Sequence, residues 1–473
     1  MSPKAASTLP TSLQVRQAFK QWHSDNNVTS SLATLYLFRK LRSATGRTVR
    51  HVSNQLLLNA LEVLEQRAQH DVHFLQRRFL DQWPINRLAN HFNVAESTIY
   101  IMQREAIEHL TEVLHEQEQR AVAEQEQRLR QRLEMPTYFE PVGITETVET
   151  LLTKLHAPQS PWLVVIEGLG GIGKTALANA VMVKVIEQGL YDEIAWVSAR
   201  QQRFNFGGAI TQVAQPALTT VALVEALVQQ LMPELLQAHT PSDELLAMLR
   251  TRLQQTPHLI VIDNLETVVD LESLLPTLQT LANPSKFLLT SRYGLYSTPN
   301  LYHVKMPELN EANALQLIRQ EAESSNLPAL AAASAHELHP IYEIVGGNPL
   351  ALRLVVGQTH VYTLESILQH LYMARGQGAE NLYTYIYRHA WDTLNATAQD
   401  VLLIMPLVNP SGDEIDVISE VGEIEVGLVR NALNQLVTLN LVDLRGGLND
   451  RRYRIHSLTR TFLHEQVLHW KKK

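Results

Sequence analysis

The chain of 473 residues contains no cysteine, which removes disulfides and thiolate metal sites together and fits a reducing compartment. No apolar run approaches the length needed to span a bilayer. The opening residues, MSPKAASTLPTSLQVRQ, lack the apolar core of a signal peptide. A soluble, cytoplasmic protein with no membrane partner is expected. Excess positive charge is also missing: 40 Lys and Arg stand against 48 Asp and Glu, a net charge of -8. That excludes a protein that coats nucleic acid by bulk charge, though a local basic patch is still allowed. No internal repeat is visible. What the chain holds in quantity is apolar residues, 45% of the total, enough for about three domains of roughly 100–200 residues to bury cores.

The densest signal is Leu163–Leu177, LVVIEGLGGIGKTAL. A short apolar run reads as a buried strand, breaks into a glycine-rich loop, and continues into a helix former. This is G-x-x-x-x-G-K-[ST] with the strand before it and the helix after it. Glycines let the backbone curl with its N–H groups pointing inward around a phosphate. The helix N-terminus behind adds the positive end of a dipole. Gly168, Gly170, Gly171, Ile172, Gly173, Lys174, Thr175 and Ala176 are the candidate phosphate-binding residues. Lys174 supplies a point charge between β- and γ-phosphates, and the Thr175 hydroxyl is suited to Mg²⁺. The expected ligand is a nucleoside triphosphate with Mg²⁺.

Up to about Thr111 the chain reads as all-helical, with Leu32, Tyr36, Leu37 and Leu41, then Leu56, Leu57, Leu61 and Leu64, at three- and four-residue spacing. Arg39, Lys40, Arg42, Arg47 and Arg50 form a basic cluster between them, the pattern of a solvated face. Residues 84–100, PINRLANHFNVAESTIY, read as a helix-turn-helix. Ala89 is small enough for two helices to cross closely, Asn93 tolerates a left-handed turn, and Val94 and Ile99 seal the small core. Ser97 and Thr98 begin the second helix, where hydroxyls can cap it or bind phosphate. The stretch from Phe79 to Leu110 resembles the helix-turn-helix of region four of bacterial sigma factors. A recognition helix over residues 96–103 is then implied, with Ser97, Thr98, Tyr100, Gln103 and Arg104 as candidate contacts to duplex DNA. The alternative is an αα-corner with no DNA partner. From Glu112 to Glu134 a Glu/Gln/Arg-rich segment without turn residues predicts a polar, exposed linker helix.

Beyond the glycine loop, Glu193–Ser198 and His258–Asn264 read as strands, the second tipped by Asp263, an acid suited to hold Mg²⁺ opposite Thr175. A fourth strand, Lys286–Arg292, carries Arg292 at its end. Strands separated by helices predict a parallel sheet with the site at the strands' carboxyl ends. Residues 301–377 read as helix-rich. After residue 381, helices around Trp391–Leu407 and Val426–Leu436 precede a glycine-turn hairpin, which predicts a winged helix.

The ordered set of glycine loop, Ala195-Trp196-Val197-Ser198, Val261-Ile262-Asp263-Asn264, Leu289-Thr290-Ser291-Arg292, Gly346-Gly347-Asn348-Pro349-Leu350-Ala351-Leu352 and Tyr453-Arg454-Ile455-His456-Ser457-Leu458 resembles the NB-ARC family of STAND P-loop ATPases, in a bacterial, NLR-like form. The resemblance covers Tyr138 to Val467, about two-thirds of the chain. It implies that Val142 and Gly143 lie against adenine, and that Pro349 packs on the base. Lys174 and Thr175 would hold phosphate and Mg²⁺ with Asp263 on the metal, Arg292 would sense the γ-phosphate, and His456 would reach the β-phosphate of ADP. Lys174, Asp263 and Arg292 are thus the candidate catalytic residues. Three positions depart from the family: Ile144-Thr145 stands for Arg-Glu, Asn264 for a second Asp, and Ser457 for the last Asp.

The fold class expected is multidomain α/β: an all-α helix-turn-helix domain (1–111), a linker helix (112–135), a P-loop parallel-sheet nucleotide domain (136–300), a helical domain (301–380) and a winged-helix domain (381–473). The function implied is a switch, closed with ADP and forming homo-oligomers with ATP, at most a slow Mg-dependent ATPase. Its helix-turn-helix would be the output, in transcription regulation or defence, and a separate protein would supply the sensor repeats missing here. The alternatives are a DNA-transaction ATPase of loader or origin-recognition type, against which Asn264 counts, and a scaffold that binds nucleotide without hydrolysis.

Overall fold

The helical periodicity of the first third of the chain is realised as a set of helices around one apolar core. The computed structural model describes residues 9–24, 29–134, 141–168, 170–199, 218–237, 241–265, 268–291, 300–375, 387, 390–409, 412–439, 441–445, 450–455, 459 and 463. Among the described residues no helix is long and apolar enough to cross a membrane. The chain divides into two compact units, one built mainly from Pro3–Gln131 and the other from Arg132 onward.

In the first unit the helices are α1 (Ser12–Lys20), α2 (Tyr36–Thr45), α3 (Val49–Glu65), α4 (Gln69–Leu75), α5 (Ile85–Phe92) and α6 (Glu96–Arg130). The residues at helical spacing, Leu32, Leu56, Leu57, Leu61 and Leu64, are buried together with Leu88, Ile99 and Leu110. Asn93 ends α5 in the left-handed conformation, φ 54°, as its side chain tolerates. The start of α6 differs from expectation: Ala95 is the N-cap, with no side-chain bond, so Ser97 and Thr98 lie inside the helix. The boundary expected after Thr111 also falls inside α6, a single helix of 35 residues. Its second half is exposed or half-buried except at Val113, Leu114, Glu118, Ala121 and Leu129. The Glu118 carboxylate is buried, accepting from the Tyr36 N–H at 2.5 Å and the Leu37 N–H at 3.0 Å. It therefore satisfies two of the orphan donors at the start of α2.

The second unit opens with α7 (Thr145–His156), then alternates strands and helices: β1 (Leu163–Glu167), α8 (Lys174–Glu187), β2 (Glu193–Ser198), α9 (Thr220–Leu231), α10 (Pro233–Gln237), α11 (Ser242–Gln255), β3 (His258–Leu265), α12 (Val268–Leu281), β4 (Lys286–Ser291) and β5 (Leu301–Lys305). The sheet is wholly parallel in the order β2-β3-β4-β1-β5. Its central strands are near-continuous apolar runs because both faces are covered. β5 was expected to open the helical region. It is instead an edge strand paired to β1 from Leu163↔Leu301 to Glu167↔Lys305, and its half-exposed residues give no strong strand signal.

Helices α13 (Glu311–Ser324), α14 (Pro328–Ala331), α15 (Ala335–Val345), α16 (Pro349–Gln358) and α17 (Leu364–Arg375) follow. Three more, Ala396–Ile404, Ile415–Gly422 and Val426–Thr438, lead into the antiparallel pair β6 (Asp443–Arg445) and β7 (Arg452–Arg454). One apolar core runs through both stretches, from Leu309 to Leu463, so the boundary expected at residue 380 divides no core.

β3 carries a titratable group at its buried start. His258 is fully buried, its Nδ1 2.7 Å from the Thr256 carbonyl, and burial pushes its pKa down to about 4. The unfolded chain takes up a proton below about pH 6.5 that the folded one refuses. Stability is therefore lost as pH falls from 6.5 towards 4, by roughly 3 kcal/mol from this group. In denaturant titrations across that window, His258→Gln should lose about that much less stability than wild type; parallel curves would exclude the assignment.

Candidate functional site

The parallel register sets the site. Glu167 ends β1 level with Ser291 of β4, and Ser198 of β2 lies level with Asp263 of β3, so the ends of the central strands converge where the glycine loop begins. Gly171 and Gly173 have φ of 73° and 100°, a region that L side chains avoid. A Cβ on Gly171 would stand 2.7 Å from the Leu350 Cβ. α8 begins at Lys174, so its N-terminal N–H groups and dipole face the loop. The Lys174 ammonium donates to the Gly168 carbonyl at 2.7 Å.

Asp263 is fully buried. The Thr175 hydroxyl lies 2.9 and 3.0 Å from its two carboxylate oxygens. The Thr290 hydroxyl donates to Oδ1 at 2.5 Å, and the Asn264 carboxamide donates to Oδ2 at 2.7 Å. Asn264 adopts a left-handed conformation, φ 66°, at a register shift between β3 and β4, and its N–H donates to the Thr290 hydroxyl at 2.9 Å. This residue stands where the NB-ARC resemblance implies a second acid. Its carboxamide nitrogen donates to Asp263, and an amide is too weak a base to take a proton from water.

The fit to a nucleotide with its metal follows from these features. A loop whose glycines occupy conformations and spaces closed to a Cβ has the form of a phosphate cradle, and the Thr175–Asp263 pair offers hard oxygens for Mg²⁺. Among the described residues no group of three or more His, Asp or Glu is placed to hold a metal ion. Mg²⁺ would therefore rely on phosphate oxygens as well as Thr175 and Asp263.

Other expected positions divide three ways. Gly143, φ 71°, packs so closely on α13 that a Cβ would meet the Asn313 Nδ2 at 2.6 Å and the Leu309 Cδ2 at 2.9 Å. Val142 and Pro349 are half-buried, Pro349 at the first turn of α16. Gly168, Gly170, Ile172 and Ala176 lie in the loop or the first turn of α8 as the motif requires. Arg292 and His456, with Ser457, lie outside the described residues. In the first unit Ser97, Tyr100 and Arg104 are exposed and Thr98 is half-buried. Gln103 is corrected: it is buried, and its Oε1 accepts from the Arg78 Nε at 3.3 Å, so it faces the core and not a duplex.

Asn348 was not among the expected site residues. Fully buried, it is the N-cap of α16, accepting from the Leu350 and Ala351 N–H groups, and its Nδ2 donates to the Gly170 carbonyl at 3.1 Å. Asn one residue before a helix-opening proline is the cap signal that marked it; its second partner, 178 residues away, left no local trace.

A parallel sheet, a glycine loop opening a helix, and a threonine–aspartate pair across from it define a P-loop nucleotide-binding protein. Residues 144–327 match the NB-ARC domain family. The chain is similar to the disease resistance protein RRS1B of Arabidopsis thaliana, 23% identical over 68% of this chain and 22% of that protein. It is likewise similar to the disease resistance RPP8-like protein 3 of Arabidopsis thaliana, 26% identical over 46% of this chain and 22% of the relative. The chain spans under a quarter of the length of these curated relatives. Among solved structures it is similar to a Signal Transduction ATPase with Numerous Domains with a tetratricopeptide repeat sensor from Pyrococcus horikoshii, at a TM-score of 0.47 and 16% identity over 70% of this chain and 43% of that one.

Lys174 is the one cation that the motif places at the phosphates. Lys174→Ala should lower ADP and ATP affinity by about a hundredfold or more while the chain stays folded, because phosphate charge is left uncompensated. Calorimetry on folded protein checks this; affinity within a few-fold of wild type would contradict it.

Proposed function

We propose that the chain is a nucleotide-controlled signalling switch, held closed with ADP and assembling into homo-oligomers with ATP. The observation that supports this best is that the loop proposed for phosphate touches the helical region directly, through the N-terminus of α16. A change at the phosphates thus has a physical route to the rest of the unit. Val142, Gly143 and Pro349 are proposed to border the base, Arg292 to sense the γ-phosphate, and His456 to reach the β-phosphate of ADP. The three helices and the β6–β7 hairpin at the end of the chain are proposed to act as a winged helix that closes the site. Asn264 in place of an acid favours a slow timer over a motor. The disease resistance proteins to which the chain is similar favour a role in defence signalling, triggered through a sensor region or partner.

The output is proposed to run through α5 and α6 as a helix-turn-helix on duplex DNA. Its support is the left-handed Asn93 turn and an exposed face bearing Tyr100 and Arg104. Beside it the Arg77 and Arg87 guanidinium groups cover the Trp83 ring, 4.8 and 3.9 Å from its centroid.

Purified protein should carry ADP, turn over ATP well below the enzyme median of about 10 s⁻¹, and gain mass by light scattering with a non-hydrolysable ATP analogue but not with ADP. Turnover above that median, or equal mass with both nucleotides, would contradict the switch. In the same preparation, salt-sensitive binding to duplex DNA should fall with Arg87→Glu and Arg104→Glu combined. No salt-sensitive binding would make the first unit a protein-interaction module.

A further inference from the structure

Two carbonyl groups of the glycine loop face the start of α16. The Gly170 oxygen accepts from the Asn348 carboxamide at 3.1 Å, and the Gly171 oxygen lies 3.4 Å from the Leu350 N–H. In a trans peptide the carbonyl and the N–H of the next residue point in opposite directions. Fixing the Gly170 oxygen towards α16 therefore turns the Gly171 N–H away from it, and fixing the Gly171 oxygen does the same for the Ile172 N–H. N–H groups that a glycine loop turns inward make an anion-binding concavity. The approach leaves little room for another arrangement. Asn348 is fully buried, and an added Cβ at Gly171 would lie 2.7 Å from the Leu350 Cβ and 3.2 Å from the Asn348 Oδ1.

We propose that Asn348 is a positioning residue for nucleotide phosphate: from the helical region, it presets two successive N–H donors of the cradle by holding the carbonyls behind them. The proposal rests on the nucleotide-binding reading and adds what this chain does to shape the site. The carboxamide serves two purposes at once. Its oxygen caps α16, through the Leu350 and Ala351 N–H groups at 3.1 and 3.3 Å, while its Nδ2 holds the loop. Asp and Ser keep the first role, since both are good N-caps. Neither can perform the second: a carboxylate has no donor, and a serine hydroxyl is one bond too short to reach the loop while capping. When α16 moves, the two N–H groups lose their orientation and the cradle weakens.

The test uses full-length protein in three forms: wild type, Asn348→Asp and Asn348→Ser. Both variants should melt within about 3 °C of wild type because the cap survives. Both should bind ADP about tenfold more weakly by calorimetry. Without nucleotide, amide exchange at Gly171 and Ile172 should speed up about tenfold in both, with residues 352–358 of α16 unchanged. The neutral Asn348→Ser is the decisive arm, because a carboxylate at this position would also repel phosphate. Wild-type ADP affinity in Asn348→Ser, or unchanged exchange at Gly171 and Ile172, would overturn the proposal while leaving nucleotide binding intact. Failure of wild type to bind ADP would overturn both. Should Asn348→Asp fail to fold, the serine variant still decides.

Discussion

A carboxylate with no exposed surface is costly unless each oxygen finds donors, and Asp263 meets this condition with groups from three directions: Thr175 at the start of α8, Thr290 on β4, and its own neighbour Asn264. The helix behind the glycine loop, the strand that carries the acid and the next strand must therefore all be in place together. Any one of them shifting by a few ångströms would strand buried charge. The left-handed turn at Asn264 follows from the same demand, since it places both the carboxamide and the backbone N–H of one residue against the Asp263–Thr290 pair.

The helical region and the terminal hairpin are fastened by a second set of charges. Arg353 on α16 donates to Glu321 on α13 at 3.0 Å and lies 3.5 Å from Asp443 on β6. Arg454 on β7 approaches Asp443 at 3.8 Å and pairs with Glu134, whose backbone carbonyl accepts from the Asn179 side chain on α8 at 2.5 Å. Glu321, Arg353, Asp443, Arg454 and Glu134 thus run from helix to hairpin to the segment entering the nucleotide region. Largely desolvated pairs of this kind add little net stability, but they are expensive to break singly, which favours all-or-none rearrangement. Asn348 and Arg353 sit on the same short helix. One end of α16 holds the phosphate loop and the middle holds the hairpin.

How much of this was legible in the sequence depended on distance along the chain. The glycine loop was readable because strand, turn and helix are consecutive, and the strand that carries Asp263 because its apolar run is continuous. Asn348, Glu118 and Gln103 were misread or missed because their partners lie far away. Glu118 lies in a polar run, and its burial depends on α2, 82 residues earlier, whose first N–H groups donate to it. Gln103 sits about one turn beyond the exposed Tyr100, yet faces Arg78. β5 was hidden because an edge strand need not be apolar on both faces. The short β6–β7 hairpin was recoverable from its glycine turn, whereas the continuous core joining it to the helical region was not.

A nucleotide switch of the kind proposed requires the state of the phosphate site to reach the hairpin through α16. Hydrogen–deuterium exchange on the full chain tests it most directly, comparing protein saturated with ADP to protein saturated with a non-hydrolysable ATP analogue. Residues 349–358 and 443–454 should exchange slowly with ADP and at least tenfold faster with the analogue, while β1 and β3 stay protected in both. Equal protection of α16 and the hairpin in the two states, with both nucleotides shown to be bound, would contradict it.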